Sequence, residues 1–282
     1  MLRAALATLG LVIAMPASAV LIDGIDGDAD IAPFPDAVLD HVGARGGLSA
    51  IYLGNGVVLT ANHVGAGTVT FEGTAYPYVP GTAVQLENQD GTYADLLMFE
   101  IHPRPDLDEL EVVPARPPYL SLLLVAGNGL DRGPGLWWDP NGTGPPGSTA
   151  GYRWDSTNHL RWGTNQLELF PAGRVFNTEA FGSYFEPGMM LPEAQAVIGD
   201  SGGAAFSLSI LGEWQLSGVI VGISQYSGQP ANTSFFGQRT YYADLSAYRT
   251  QIVDAVELPE PSGLFAAGGV LVSLLWLRRR AT

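Results

Sequence analysis

Cysteine is absent from this chain of 282 residues. No disulfide can staple it, so a domain of this size has to rely on its hydrophobic core. Basic side chains are scarce, 13 Lys and Arg together against 28 Asp and Glu, for a net charge of −15. A surface of that sign repels nucleic acid and anionic membrane and favours solubility. Histidine is limited to His41, His63, His102 and His159, so any general base with a pKa near neutrality comes from a short list. Glycine (36) and proline (20) are abundant instead, which favours many turns and short strands over long helices. The length allows one large domain or two small ones.

The most informative stretch is Gly199-Asp200-Ser201-Gly202-Gly203. A serine between glycines presents its hydroxyl on a sharply turned backbone that a substrate can approach closely. Ala204 and Ala205 lead into Phe206, Ser207, Leu208, Ser209 and Ile210. Their alternation predicts a β-strand after the serine. All four histidines precede Ser201. That order, with a strand rather than a helix following, excludes the α/β-hydrolase arrangement if Ser201 is the nucleophile.

His63 closes the apolar run Val57-Val58-Leu59-Thr60-Ala61-Asn62, and Asp95 opens Leu96-Leu97-Met98-Phe99-Glu100-Ile101. Leu59-Thr60-Ala61-Asn62-His63, the strand starting at Asp95 and Gly199–Gly203 resemble, in this order, the three motifs of trypsin-like serine proteases. Tyr242, Leu245, Tyr248 and Ile252 match the spacing of that family's closing strand and C-terminal helix. The resemblance covers residues 47–256, with a poorly matched middle. It implies an all-β, chymotrypsin-like fold of two antiparallel six-stranded β-barrels with a C-terminal helix. It also implies a serine endopeptidase acting on a protein or peptide substrate, without metal or cofactor. Val64 stands where disulfide-bonded relatives often carry cysteine.

On that resemblance Ser201 is the nucleophile, His63 the base and Asp95 the group that orients the imidazole. Asp90, Asp106 and Asp108 are rival acids. The amides of Gly199 and Ser201 would form the oxyanion hole. Asp200 corresponds to the family's structural aspartate, which pairs with a new N-terminal ammonium. Here the Val20 amine or an arginine is the candidate partner. Gln195, six residues before the nucleophile, falls at the specificity pocket and is neutral, so no preference for Lys or Arg is expected. Gly127-Asn128-Gly129 and Trp162-Gly163-Thr164 compete for the position of the family's Gly-Trp-Gly. A catalytically silent, protease-like binding module at the cell surface is the alternative reading.

Residues 1–19, with Arg3, an apolar run from Ala4 to Met15 and Ala17-Ser18-Ala19, read as a secretory signal peptide cut before Val20. Residues 257–282 contain Pro259-Glu260-Pro261, an uncharged stretch from Ser262 to Leu277 and Arg278-Arg279-Arg280. This resembles the PEP-CTERM sorting signal of Gram-negative bacteria, which implies export, an exosortase-type processing enzyme and membrane contact only through the C-terminal transmembrane segment. A permanent single-span anchor is the plainer reading, although the stretch is short for one. Residues 20–46 read as an acidic leader or propeptide. Asp23, Asp26, Asp28 and Asp30 are oxygen ligands of the kind calcium takes, but the loop lacks a full spaced ligand set with a distal Glu.

Between these ends, strands are expected at 48–53, 56–60, 67–71, 73–79, 83–87 and 95–101, with turns at Asn55-Gly56 and Glu72-Gly73. Residues 102–118 read as a linker and 130–150 as a surface loop rich in Gly and Pro. Strands at 204–211 and 214–223 pair through Gly212-Glu213, and a helix closes the domain at 245–256.

Overall fold

A computed structural model describes residues 20–23, 36–139, 148–188 and 193–257. The signal-peptide stretch, Asp26, Asp28, Asp30 and the sorting-signal stretch from residue 258 onward lie outside them. Among the described residues no helix is long and apolar enough to cross a membrane.

A two-residue strand, β1 (Leu21–Ile22), and a short helix, α1 (Asp36–Leu39), precede the first sheet. That sheet takes β2 (Val42–Arg45), β3 (Leu48–Gly54), β4 (Val57–Thr60), β5 (Val69–Phe71), β6 (Thr74–Tyr76), β7 (Val84–Glu87) and β8 (Tyr93–Glu100). Its antiparallel order is β6-β5-β2-β3-β4-β8-β7. The expected turns form where their residues demand. Asn55 and Gly56 take φ of 50° and 88°, and Glu72 and Gly73 take 45° and 78°. Two consecutive left-handed residues match the twist of a two-residue hairpin.

The second half supplies β9 (Leu122–Gly127), β10 (Leu130–Trp138), β11 (Thr149–Asn158), β12 (Arg161–Gln166), β13 (Ala180–Tyr184), β14 (Ala194–Gln195), β15 (Ala204–Leu208), β16 (Trp214–Ile223), β17 (Thr233–Phe235) and β18 (Arg239–Asp244). Six of these make a sheet in the order β12-β9-β15-β16-β18-β13. A 3-10 turn at Leu245–Ala247 leads into helix α2 (Arg249–Glu257). Ser246 N and Oγ bond Asp244 Oδ1, which caps the turn.

Period-two alternation divides the side chains of the two large sheets among three of the four buried clusters. Ala50, Tyr52, Val58 and Phe99 fill the inside of the first sheet. Leu123, Val125, Ala205, Ile220 and Tyr242 fill the inside of the second. Their strand neighbours Ile51, Val57, Leu59, Leu124, Ala204, Phe206 and Val219 meet between the halves, with Tyr248 and Ile252 of the C-terminal segment. Both faces of each sheet are thus dry where they meet.

Three expectations change. Six strands per half were expected; the first sheet has seven, because it begins at Val42 rather than at residue 47, and the second has six. Both ladders have open edges, with isolated bridges among the described residues between Tyr78 and Ile101 and between Leu169 and Gly182. The described part of 130–150 does not run as a loop. Of these, 130–138 form β10 and 149–150 open β11, which pair antiparallel and, with β17, make a separate three-stranded sheet; residues 140–147 lie outside the described residues. Glycine and proline hid this pairing; the irregular register between Leu130 and Gly135 absorbs them, and buried Trp154 anchors the arm beside Phe185, Val197 and Leu21. Finally, the leader is not wholly separate. Val20 is fully buried in the second core, and Leu21 and Ile22 pair with Gln195 and Ala194.

Candidate active site

His63 leaves the end of β4 on a tight turn, in which Val64 N bonds Ala61 O at 3.0 Å and Gly65 N bonds Asn62 O at 3.1 Å. Asp95 lies on β8, whose Leu97 is the register partner of Thr60. The two residues therefore meet at one end of adjacent strands. His63 Nδ1 is 2.7 Å from Asp95 Oδ2, and the His63 backbone N–H donates to Oδ1 at 3.0 Å. Both carboxylate oxygens are thus spent on one residue, fixing the ring's orientation and its Nδ1–H tautomer. The hydrogen bond to Asp95 raises the imidazole pKa above its ordinary 6.5, against a smaller opposing effect of burial. Asp95 is itself held, since its backbone N–H donates to Thr178 Oγ1 at 2.7 Å. Of the rival acids, Asp90 serves Thr92 and Arg174. Asp106 and Asp108 make no hydrogen bond to His63 among the described residues.

Ser201 sits in the turn just before β15. Gly199 and Gly202 take φ of 104° and 83°, a region open to glycine and costly for other residues. The turn closes through Gly203 N to Asp200 O at 2.8 Å and is tied to β16 by Gly202 N to Ile220 O at 2.9 Å. It is also stitched to the first half. Ser49 N donates to Ser201 O at 2.9 Å, and Ser49 Oγ donates to Gly199 O at 3.1 Å. Thr60 Oγ1 donates to Ser49 O at 2.8 Å. A Cβ on Gly202 would lie 2.1 Å from both Ser49 O and Thr60 Oγ1, so only glycine lets the halves approach this closely. The Ser201 turn therefore rests, through Ser49, on Thr60, three residues before His63. Among the described residues no hydrogen bond joins His63 to the Ser201 hydroxyl, and neither the Gly199 nor the Ser201 amide donates one. Those two donors are uncommitted.

Asp200 is fully buried. Its carboxylate accepts from Gly129 N at 2.8 Å and from Val197 N at 2.8 Å. Burial pushes its pKa up to about 7, with nearby Asp131 adding to the effect. A Cβ on Gly127 or Gly129 would fall 2.3 or 2.6 Å from this carboxylate. Gly127-Asn128-Gly129 is thus the segment against the Ser201 turn, whereas Trp162 and Gly163 pair along β12 with Ala126 and Val125. Gln195 is buried on β14, donating weakly to Ala196 O and Arg239 O, and its Oε1 has no partner among the described residues.

Beside the His63–Asp95 pair opens a cleft of about 500 Å³ whose walls include Tyr93, Phe176 and Val221 but not Ser201. Thr178, Phe176 and a second imidazole–carboxylate pair, His159 Nδ1 to Asp131 Oδ2 at 2.9 Å, went unrecognised in the sequence. Asn177 between Phe176 and Thr178 was the available turn signal. His41 bonds Tyr52 O at 2.8 Å and its burial lowers its pKa, a structural role.

No protein-family model matches the sequence, and no curated protein does. Solved structures do match. The chain is similar to neuropsin, a serine protease expressed in the limbic system of mouse brain. The two share 14% identity at a TM-score of 0.53, over 80% of this chain and 97% of that one. It is similar to kallikrein-related peptidase 10 at 13% identity and a TM-score of 0.50, over 79% of this chain and 98% of that one. A mutant of human heparin binding protein shares 13% identity at a TM-score of 0.51, over 79% of this chain and 93% of that one. The fold is the chymotrypsin-like β fold of the trypsin-type serine proteases; at these identities the likeness is one of fold.

Proposed function

We propose that this chain is a secreted or cell-surface serine endopeptidase. Ser201 Oγ attacks a peptide carbonyl as His63 Nε2 takes its proton. The tetrahedral oxyanion is received by the amides of Gly199 and Ser201. His63 then protonates the leaving amine, and water, deprotonated by the same imidazole, hydrolyses the acyl-enzyme. Asp95 keeps the ring oriented and stabilises its charged form. The observation that carries this reading is the His63–Asp95 pair, held at both carboxylate oxygens at the mouth of a cleft. The uncommitted Gly199 and Ser201 amides support it.

In the mature protein, cut before Val20, the new ammonium of Val20 is our candidate counter-ion for Asp200. The support is that Val20 is buried and that its strand pairs with the segment leading to Asp200. Gln195 offers a neutral specificity pocket, consistent with no demand for Lys or Arg. Export by the N-terminal stretch and exosortase-type processing of the C-terminal one complete the proposal, with the catalytic domain outside a Gram-negative cell.

The test is covalent labelling of the purified protein with a fluorophosphonate. Labelling is expected in the natural sequence and is lost in Ser201→Ala and His63→Ala, each with a fall in turnover on the order of a million-fold. A folded sample that does not label selects the second reading, a protease-like binding module, which the missing His63–Ser201 hydrogen bond favours. Heparin binding protein is one such binder by name, although this chain's negative charge argues against an anionic polysaccharide.

A further inference from the structure

The second imidazole–carboxylate pair stands behind the Ser201 turn, and the proposed peptidase chemistry does not use it. Its carboxylate, Asp131 on β10, is 2% exposed. Asp131 Oδ2 meets His159 Nδ1 at 2.9 Å and also accepts the Thr157 hydroxyl. Its Oδ1 faces Arg161 Nε at 3.9 Å. Thr157 and His159 flank Asn158, the last residue of β11. Both neighbours are thus tied to one buried carboxylate, and alternation along the strand sends the Asn158 side chain the other way.

There one amide group touches three segments. Asn158 Nδ2 donates to Asn128 O at 3.1 Å and reaches Gly47 O at 3.4 Å. A Cβ built on Gly199 would lie 3.0 Å from the same nitrogen. These contacts bear on the peptide between Ile198 and Gly199 from both ends. Leu130, the register partner of Asn158, donates its N–H to Ile198 O at 3.0 Å. Asn128 N donates to Ser49 Oγ at 2.8 Å, and that hydroxyl donates to Gly199 O. In a trans peptide the carbonyl and the following N–H point in opposite directions. Holding the Ile198 carbonyl against β10 therefore turns the Gly199 N–H away from β10. Gly199 itself resists rotation little, because its φ of 104° lies where glycine moves freely. The direction of that N–H is set by its neighbours.

From this geometry we infer that Asn158 is a positioning residue: aimed by Asp131, it fixes the Asn128–Leu130 segment and, through it, the Gly199 amide that receives the oxyanion. The inference rests on the serine-peptidase reading. Asn158 touches no reacting atom. Its loss lets the Ile198–Gly199 peptide turn, so the donor is misdirected when negative charge develops. A donor of this kind acts on the transition state and not on bound substrate, so the loss falls on kcat rather than KM.

The experiment compares Asn158→Ala and His159→Ala with the natural protein in peptide hydrolysis, fluorophosphonate labelling and binding of a peptidyl boronic acid. The tetrahedral adduct of the boronate with a serine places an anionic oxygen in the same hole. Asn158→Ala is expected to lose about 10- to 100-fold in kcat with KM held within about 2-fold, and to bind the boronate more weakly in proportion. The acid limb of its pH profile, which belongs to His63, stays in place. His159→Ala leaves the Thr157 tie and loses less in kcat; it carries the test if Asn158→Ala does not fold. A kcat within about 2-fold of the natural value in both variants, or a loss carried by KM with boronate affinity unchanged, overturns the role of Asn158 and leaves the serine chemistry intact. A folded natural protein that does not label overturns the peptidase reading and this inference with it.

Discussion

The two halves present their functional groups by different means. The first half is an apolar platform. Before residue 120 the described residues bury no Asp, Glu, Lys or Arg; the ionisable groups buried there are His41 and the Tyr52 phenol. Its imidazole and carboxylate meet because two adjacent strands end together. The second half buries Asp131, Arg161, Glu193, Asp200 and Asp244, and it carries the β10–β11 arm. Burial pushes Glu193 up to about 7 as well, with Glu168, Glu186 and Asp23 adding to the shift. The His–Asp pair is therefore held by adjacent strand ends, with Thr178 of the second half bracing the Asp95 backbone. The Ser201 turn packs against the buried carboxyl of Asp200, whose energy changes with pH and with any nearby ammonium.

The comparison breaks most sharply on the first side. Asp95→Asn is expected to lower kcat by about 10⁴-fold while the fold survives. The base must be neutral to accept a proton, so kcat/KM should fall as pH drops through the raised His63 pKa, above 6.5. Since the Asp95 hydrogen bond is the main cause of that elevation, the acid limb of the profile moves to lower pH in Asp95→Asn. An unmoved limb would remove His63 from the role of base.

At the seam, Gly202→Ala forces a left-handed alanine into a gap of 2.1 Å. A loss of about 2–4 kcal/mol is expected from strain and overpacking together, read as a lower denaturant midpoint. Little or no loss would mean that the halves are not tightly joined at Thr60.

The smallest effect sharpens the second side. A carboxyl whose folded pKa is raised from 3.8 to about 7 contributes stability below pH 3.8 that is lost as pH rises through 7. Relative to the natural residue, Asp200→Asn should therefore gain stability between pH 4 and pH 8, on the order of 1–3 kcal/mol. The gain applies to a chain with residues still attached ahead of Val20, and thermal melts at both pH values measure it. A chain beginning at Val20 should show a smaller gain, because an ammonium would stabilise the ionised carboxylate. Equal gains in both forms would exclude Val20 as the counter-ion.

Much of the first half was legible because its signals are local. Asn55-Gly56 and Glu72-Gly73 specify their turns through left-handed angles, and alternating residues specify both faces of β3, β4 and β8. His63 and Asp95 were readable as the ends of such runs. The β10–β11 arm was not, since Gly133-Pro134-Gly135 reads as a breaker until a partner strand takes up the irregular register. The pairing of Leu21 with Gln195 spans most of the chain, and no local pattern encodes it. Phe176 was invisible for a related reason: its left-handed φ of 47° is imposed by Asn88, Tyr93 and Asp95 from another part of the chain.

The sequence by itself determined where the backbone turns, which side chains point inward and which residues could do chemistry, because glycine angles and strand alternation are properties of neighbours. Only the tertiary structure decided that Asp95, not Asp90, meets His63. It also decided that Ser201 is hung from Ser49 and that an aromatic ring overhangs the cleft. Those contacts join residues from 32 to about 150 positions apart, and their geometry comes into being only when both sheets bury their shared core.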